Sequence, residues 1–266
     1  MGCTTCDDAS PSWARPTGAG PPRCFFFDIG LNVGSSTEAL YASEWLSSPL
    51  RTRTRRPFVS CNSAPWTLVT PPKKAAGAVV ACEKQAAAAA RFINATLGPR
   101  LQRAGLRARD CHAAGIELRP VWGAHLLALA PKVQERFGTA TLPAFHQPFA
   151  ASTCDGARVG VMQSGHYDFK VVAPGEQLSW PYRSFNATTL NVLRLLAEAA
   201  RPADVVALKV DIEDHEKVLL PCLASNRRLG SLVDVLYIEE HTNGPALAPA
   251  YAQLRARGVA VETEWP

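Results

Sequence analysis

The 266-residue chain has no long apolar run, and no stretch reaches the roughly 18 residues that cross a bilayer as a helix. Residues Met1 to Pro22 contain no apolar core of the kind a secretory signal needs. Met1-Gly2-Cys3 opens like an acylated protein, but Cys6 stands where a myristoylation signal wants Ser or Thr. Cys3-x-x-Cys6 has no matching second pair, which argues against a structural zinc site. Charge of one sign is not in large excess: the net charge is +5, and part of it is local to Arg51, Arg53, Arg55, Arg56, Lys73 and Lys74. No aromatics interleave with that run on a defined platform, so it reads as a solvated loop and no nucleic-acid partner is expected. These absences leave a chain with no membrane span, for which a soluble cytoplasmic or organellar setting is the expectation.

With 47% hydrophobic residues, the chain has enough apolar surface for one large α/β domain. Residues 1–23 are rich in Pro, Gly, Ser and Thr and read as a tail, leaving 24–266 as the domain. Of the eight cysteines, Cys24, Cys82 and Cys222 lie in or beside apolar segments and read as buried thiols. Asn94-Ala95-Thr96 and Asn186-Ala187-Thr188 are formal glycosylation sequons that matter only in a secreted chain.

The stretch Phe25-Phe26-Phe27-Asp28-Ile29-Gly30-Leu31-Asn32-Val33-Gly34 organises the rest. Its aromatics and Ile29 predict a buried strand, its glycines a tight turn, and Ser35 to Leu46 a helix: the opening of a βαβ unit. Glycines allow close backbone approach, and a helix start presents free N–H groups. The dinucleotide fingerprint G-x-G-x-x-G is absent, since the glycines stand as Gly30-x-x-x-Gly34. Residues 48–77 read as an insertion loop. Ala78 to Glu83 reads as a second strand ending in an acid, and Gln85 to about Leu106 as an Ala-rich helix interrupted at Gly98-Pro99. Ile116 to Gly123 alternates like a third strand, with Trp122 either a flat wall for a ring or a core residue.

Residues 150–175 predict a β-hairpin insert around Gln163-Ser164-Gly165-His166. Asn186 to Thr189 reads as the cap of a helix with Leu190, Leu193, Leu196 and Ala197 on one face. Val205 to Glu213 predicts a fourth strand, Glu216 to Ser225 a helix, Leu232 to His241 a fifth strand, Pro249 to Arg257 a helix and Val259 to Glu264 a last strand. Strands alternating with helices predict a doubly wound, mostly parallel sheet with helices on both faces. Ligands in such sheets bind beyond the C-terminal strand ends. Asp28, Glu83, Trp122, Asp211 with Glu213, and Glu239 to His241 all fall at predicted ends.

Asp211 and Glu213 are expected to share one face of the fourth strand, since side chains alternate with period two, and could position or deprotonate a hydroxyl. His215 is a base by its ordinary pKa, or a helix cap. Asp211, Glu213, His215, Glu240 and His241 have ligand types suited to a divalent cation, yet spacing alone assigns no metal. Lys209 is expected to pair with a neighbouring acid.

Several of these pieces resemble the FkbM-like family of S-adenosylmethionine (SAM) dependent methyltransferases, a Rossmann-like class. Its first motif, D-I-G-A-N-x-G, is matched by Asp28 to Gly34. Glu83 stands for the acid of its second strand, and Thr188-Thr189-Leu190-Asn191 resembles its T-T-L-D. Lys209-Val210-Asp211-Ile212-Glu213-Asp214-His215-Glu216 resembles its K-x-D-x-E-G-x-E, with Asp214 in place of glycine and His215 where a small residue is usual. The resemblance spans about residues 25–264 and implies SAM as cofactor. It implies that Asp28, Gly30, Asn32 and Gly34 hold the methionine half, Glu83 the ribose, and Trp122 with Gly123 the adenine edge. Catalysis would fall to Asp211, Glu213 and His215, acting on a small-molecule or glycan hydroxyl. No stretch reads as the final antiparallel strand of that class. A degenerate binding protein of the same fold and an NAD(P)-dependent oxidoreductase are the rival readings.

Overall fold

The computed structural model describes residues 6, 16, 19–30, 34–46, 58, 60–61, 72–164, 168–172, 183–213, 215–241 and 244–266. The insertion loop expected at 48–77 falls mostly outside them, as does Asn32. Among the described residues the chain forms a mixed α/β structure around a six-stranded sheet. Its strands are β1 (Cys24–Ile29), β2 (Cys111–Ile116), β3 (Ala144–His146), β8 (Val205–Val210), β9 (Val235–Ile238) and β10 (Ala260–Glu262). They stand in the order β10-β9-β8-β1-β2-β3, with every neighbouring pair parallel. Chain order reverses direction between β1 and β8, so the crevice of a doubly wound sheet opens beyond those two strand ends.

β1 is apolar except at Asp28 because helices cover both sides of it. Phe26 joins one core, with Leu40, Tyr41, Ile93, Leu126 and Leu129. Phe25 and Phe27 point the other way, as the two-residue period of a strand requires, and join Leu193, Leu196, Leu219, Leu223 and Leu254. Helices α1 (Ser35–Leu46), α2 (Pro72–Thr96), α3 (Gly98–Arg103) and α4 (Gly123–Phe137) contribute to the first core. Helices α5 (Val192–Ala199), α6 (Glu216–Ser225), α7 (Arg227–Gly230) and α8 (Ala248–Arg255) contribute to the second. Each fully buried phenylalanine removes apolar area worth about 1.5–3 kcal/mol from water, so this alternation fixes which face of the sheet each helix must cover.

The insert forms a second sheet of β4 (Phe149–Ser152), β5 (Arg158–Ser164), β6 (Asp168–Val172) and β7 (Arg183–Asn191), in the order β4-β7-β5-β6. β5 pairs antiparallel with β6 and with β7, so the hairpin stands where its alternation placed it. The end of its turn, residues 165–167, lies outside the described residues.

Three expectations are corrected. Ala78 to Glu83 is not a strand but the middle of α2, which starts at Pro72 and runs to Thr96. A short apolar run has no decisive period of its own, and this one continues into a strongly helix-forming Ala-rich segment. Ala86, Ala89, Ala90 and Ile93 form its buried stripe, whereas Val80 is 51% exposed, which a central strand would not permit. The second strand is instead Cys111–Ile116, ending where the expected third strand begins. Pro120, with its fixed φ and missing N–H, opens a 3₁₀ turn at Pro120–Trp122 that leads into α4. Finally, Asn186 lies within β7, and Asn191 caps α5: its Oδ1 accepts Leu193 N–H at 2.9 Å and Arg194 N–H at 3.1 Å. Leu193, Leu196 and Ala197 are buried on that helix as expected, whereas Leu190 lies in β7.

The cysteines expected as buried thiols are oxidised. Cys24 bonds Cys111, its register partner on β2; Cys61 bonds Cys82 on α2; Cys6 bonds Cys222 on α6. Cys154 is disulfide-bonded as well, and no described cysteine is free. Partners 87, 21 and 216 residues apart leave no local spacing from which to infer the pairing. Non-reducing peptide mapping should recover the Cys24–Cys111, Cys61–Cys82 and Cys6–Cys222 cross-links. Replacing a pair by alanines should cost about 2–4 kcal/mol in urea unfolding; titratable thiols at Cys24 or Cys222 in the native protein would refute the pairing.

Candidate functional site

At the reversal point the ends of β1, β2 and β8 are laced together. Gly30 N–H donates to Ile116 O at 3.0 Å, and Asp211 N–H to Ile29 O at 2.8 Å. Gly30 has φ +86°, and a Cβ there would stand 1.6 Å from Asp211 O, so only glycine fits this closure. Gly34 has φ +81° for a different reason: a Cβ would lie 2.5 Å from Leu129 Cδ2, so the turn packs directly on α4. The glycines expected to admit a ligand therefore first admit neighbouring protein.

A cavity of about 200 Å³ opens beyond these strand ends. Gly30 and Ser36 line it from the first βα turn, Gln85 and Ala89 from α2, and Phe149 and Ala151 from β4. Asp211, Glu213, His215 and Glu239 close it from the β8 and β9 side. All three side chains expected to be catalytic thus face one cavity. Of the described residues expected to bind a cofactor, only Gly30 lines it. Asp28 is fully buried beneath it, and Gly34 stands behind the turn.

Glu83, carried away on α2, is not a wall residue. The acid at the end of the second strand is Glu117, which lines the cavity at 2% exposure. Its Oε1 accepts both Arg119 N–H at 2.8 Å and Arg119 Nε–H at 2.9 Å. The signal for it was the order Ile116-Glu117, an acid after an apolar run; the run itself was masked by Ala and Gly, poor strand formers. Trp122 is a core residue, 4% exposed and 5.4 Å below the Arg119 guanidinium, and neither it nor Gly123 reaches the cavity. The aromatic wall is Trp265, whose ring is 5.2 Å from that of Tyr237.

Charge at the site centres on Lys209, which is 2% exposed and is the register partner of Asp28. Its Nζ donates to Asp211 Oδ2 at 2.8 Å and lies 3.8 Å from Asp28 Oδ1. Lys209 thus pairs with an acid as expected. Asp28 Oδ2 accepts Thr37 Oγ1–H at 2.9 Å, while Oδ1 accepts no hydrogen bond among the described residues. Burial raises Asp28 to about 6, with Lys209 opposing. Burial pushes Asp211 upward, but the charge and hydrogen bond of Lys209, with the His241 charge and the Glu239 hydrogen bond, together hold Asp211 below the usual carboxylate range. Burial and the neighbouring Asp211 charge raise Glu239.

Asp211 and Glu213 do not share a strand face, because β8 ends at Val210; Glu213 takes φ +49°, a left-handed conformation unusual outside glycine. His215 occupies the N-cap position of α6, but its side chain makes no cap bond. It faces Ser152 Oγ at 3.4 Å, and burial lowers its pKa. The imidazole among the carboxylates is that of His241. It is raised to about 9, first by Glu216 bonding its ring and further by Glu213 and Asp211, against the opposing effect of burial. The sequence marks His241 at the end of the fifth predicted strand but not its partner, since Glu216 is 25 residues away.

Because its folded pKa exceeds the ordinary 3.8, Asp28 binds a proton in the folded state between pH ~4 and ~6 that the unfolded chain has released. Stability therefore falls as pH rises through that window. Urea unfolding of wild type against Asp28→Asn should show the wild type losing about 2–3 kcal/mol relative to the variant from pH 4 to pH 7. Parallel curves would place the Asp28 pKa at its ordinary value. No family model matches the chain, and neither does any curated protein or solved structure.

Proposed function

We propose that the chain is a SAM-dependent methyltransferase of the FkbM-like kind that methylates a hydroxyl oxygen of a small or carbohydrate-type acceptor. One observation carries this reading. The two segments that resemble the family's motifs, Asp28 to Gly34 and Lys209 to Glu216, are far apart in sequence yet meet at the reversal point of the sheet, around a single cavity.

The residues present suit the cofactor. Glu117 takes over from Glu83 as the acid at the end of the second strand, where two ribose hydroxyls would find a carboxylate already oriented by Arg119. Asp28 Oδ1, buried and without a hydrogen bond among the described residues, is an acceptor for a donor arriving at the first turn. Trp265 offers a flat wall. When bound, SAM supplies an electrophilic methyl on a sulfonium. The chain's own part is to hold the acceptor hydroxyl in line and to take its proton. Asp211, kept ionised by Lys209, and Glu213 would orient that hydroxyl. His215, kept neutral by burial, would accept the proton at the ring nitrogen not turned to Ser152.

The strand order favours one rival, since third-second-first-fourth-fifth-sixth is also the dinucleotide-binding arrangement with an acid after the second strand. Glycine spacing opposes it. The disulfides are of the kind that persists in oxidising surroundings, so we place the chain in an oxidising compartment.

Calorimetric titration should show micromolar binding of S-adenosylhomocysteine and no comparable binding of NAD. Glu117→Gln, with an unchanged circular dichroism spectrum, should weaken it about 10–100-fold through loss of charge-assisted hydrogen bonds. NAD binding without S-adenosylhomocysteine binding would reinstate the oxidoreductase. Binding of S-adenosylhomocysteine without turnover on any hydroxyl acceptor would leave a degenerate binding protein.

A further inference from the structure

The carboxylates past β8 and β9 converge on one nitrogen atom. His241 Nε2 lies 3.6 Å from Asp211 Oδ1, 3.7 Å from Glu213 Oε2 and 4.0 Å from Glu239 Oε1. These separations are too long for hydrogen bonds. They come close to the distances between adjacent ligands around one small ion, roughly 3.0–3.4 Å for bonds of about 2.1 Å. One ligand atom each from Asp211, Glu239 and His241 lies within 4.8 Å of the others. Asp211 keeps Oδ1 turned toward this point because Lys209 already occupies Oδ2.

A second feature, on a different element, points to the same use. Glu216 in α6 is fully buried, and its Oε1 accepts Ile212 N–H at 2.8 Å and faces His241 Nδ1 at 3.1 Å. Its Oε2 has no hydrogen bond among the described residues. A carboxylate held so rigidly against Nδ1 accepts its N–H hydrogen bond, so Nε2 is the ring atom that faces the three acids, and an ion bound there would replace the Nε2 proton. This is the outer-shell arrangement that orients metal-binding histidines.

We propose that Asp211, Glu239 and His241 form a binding site for one divalent first-row ion, with Glu213 at its margin and Glu216 fixing the imidazole. A set of two carboxylates and one imidazole suits Mn2+ or Zn2+ better than Ca2+ or Mg2+, which favour all-oxygen shells. The site stands on its geometry alone. Its role rests on the methyltransferase reading: the ion would hold the acceptor's hydroxyl oxygen at the cavity wall formed by Asp211 and Glu239.

The test is titration of Mn2+ and Zn2+ into the oxidised, chelator-stripped full chain, followed by calorimetry and, for Mn2+, by electron paramagnetic resonance. One ion should bind per chain. His241→Ala should weaken binding at least ~100-fold, and Glu216→Gln about 10–100-fold with the circular dichroism spectrum unchanged. His112→Gln, at the start of β2 and the far end of the sheet, should change nothing. No uptake by folded protein, or uptake indifferent to His241→Ala, would overturn the site. Uptake by a chain that binds no S-adenosylhomocysteine would support the site and remove only the acceptor-holding role.

Discussion

A single buried ammonium group sets the terms for this end of the molecule. Lys209 stands opposite Asp28 in the register of β8 and β1, reaches Asp211 at the strand end and leaves its Nζ 3.4 Å from Gly30 O. A charge taken out of water is tolerable only if its surroundings answer it completely. Here two acids answer it, Asp28 from within the neighbouring β1 and Asp211 from beyond the end of its own strand. The requirement works in two directions. It draws the C-terminal ends of β1 and β8 together, and it keeps Asp211 ionised at the edge of the cavity. The Lys209 head also lies 5.6 Å from the Trp265 ring, which ties the last residues of the chain to the same group.

That closeness explains why the first turn must be glycine. The carbonyl of Asp211 occupies the space a side chain at position 30 would need, so the two polar segments of the site are joined by backbone before any ligand is considered. Geometry of this kind is preorganisation in the literal sense: folding itself fixes the distances between the acids. The unusual backbone of Glu213, just past this junction, belongs to the same pattern of local strain where polar groups are concentrated.

Much of the architecture could be read from residue order, and the reasons it could are local. β1, β8 and β9 are continuous apolar runs with acids at their ends, so both the elements and the side of the sheet bearing the site were legible in Phe25 to Asp28, Val205 to Asp211 and Val235 to Glu239. β2 was not, because Cys-His-Ala-Ala-Gly-Ile carries its only β-branched residue last, and its place in the sheet comes from its neighbours. That one displacement moved the acid at the end of the second strand from Glu83 to Glu117. Asp211, Glu213 and His215 were legible because they follow a strong strand. His241 was legible as a strand-end residue, but its bond to Glu216 was not, since pairings across crossovers leave no mark on local spacing.

The Cys6–Cys222 bond joins two points 216 residues apart. Everything between them is therefore a closed covalent ring, and the βα units of both halves of the sheet lie inside it up to α6. A protease that cuts once anywhere within that span opens the ring without releasing a fragment. The long connection between α1 and α2 can be cleaved, in this topology, while the two sides of the cavity remain one molecule.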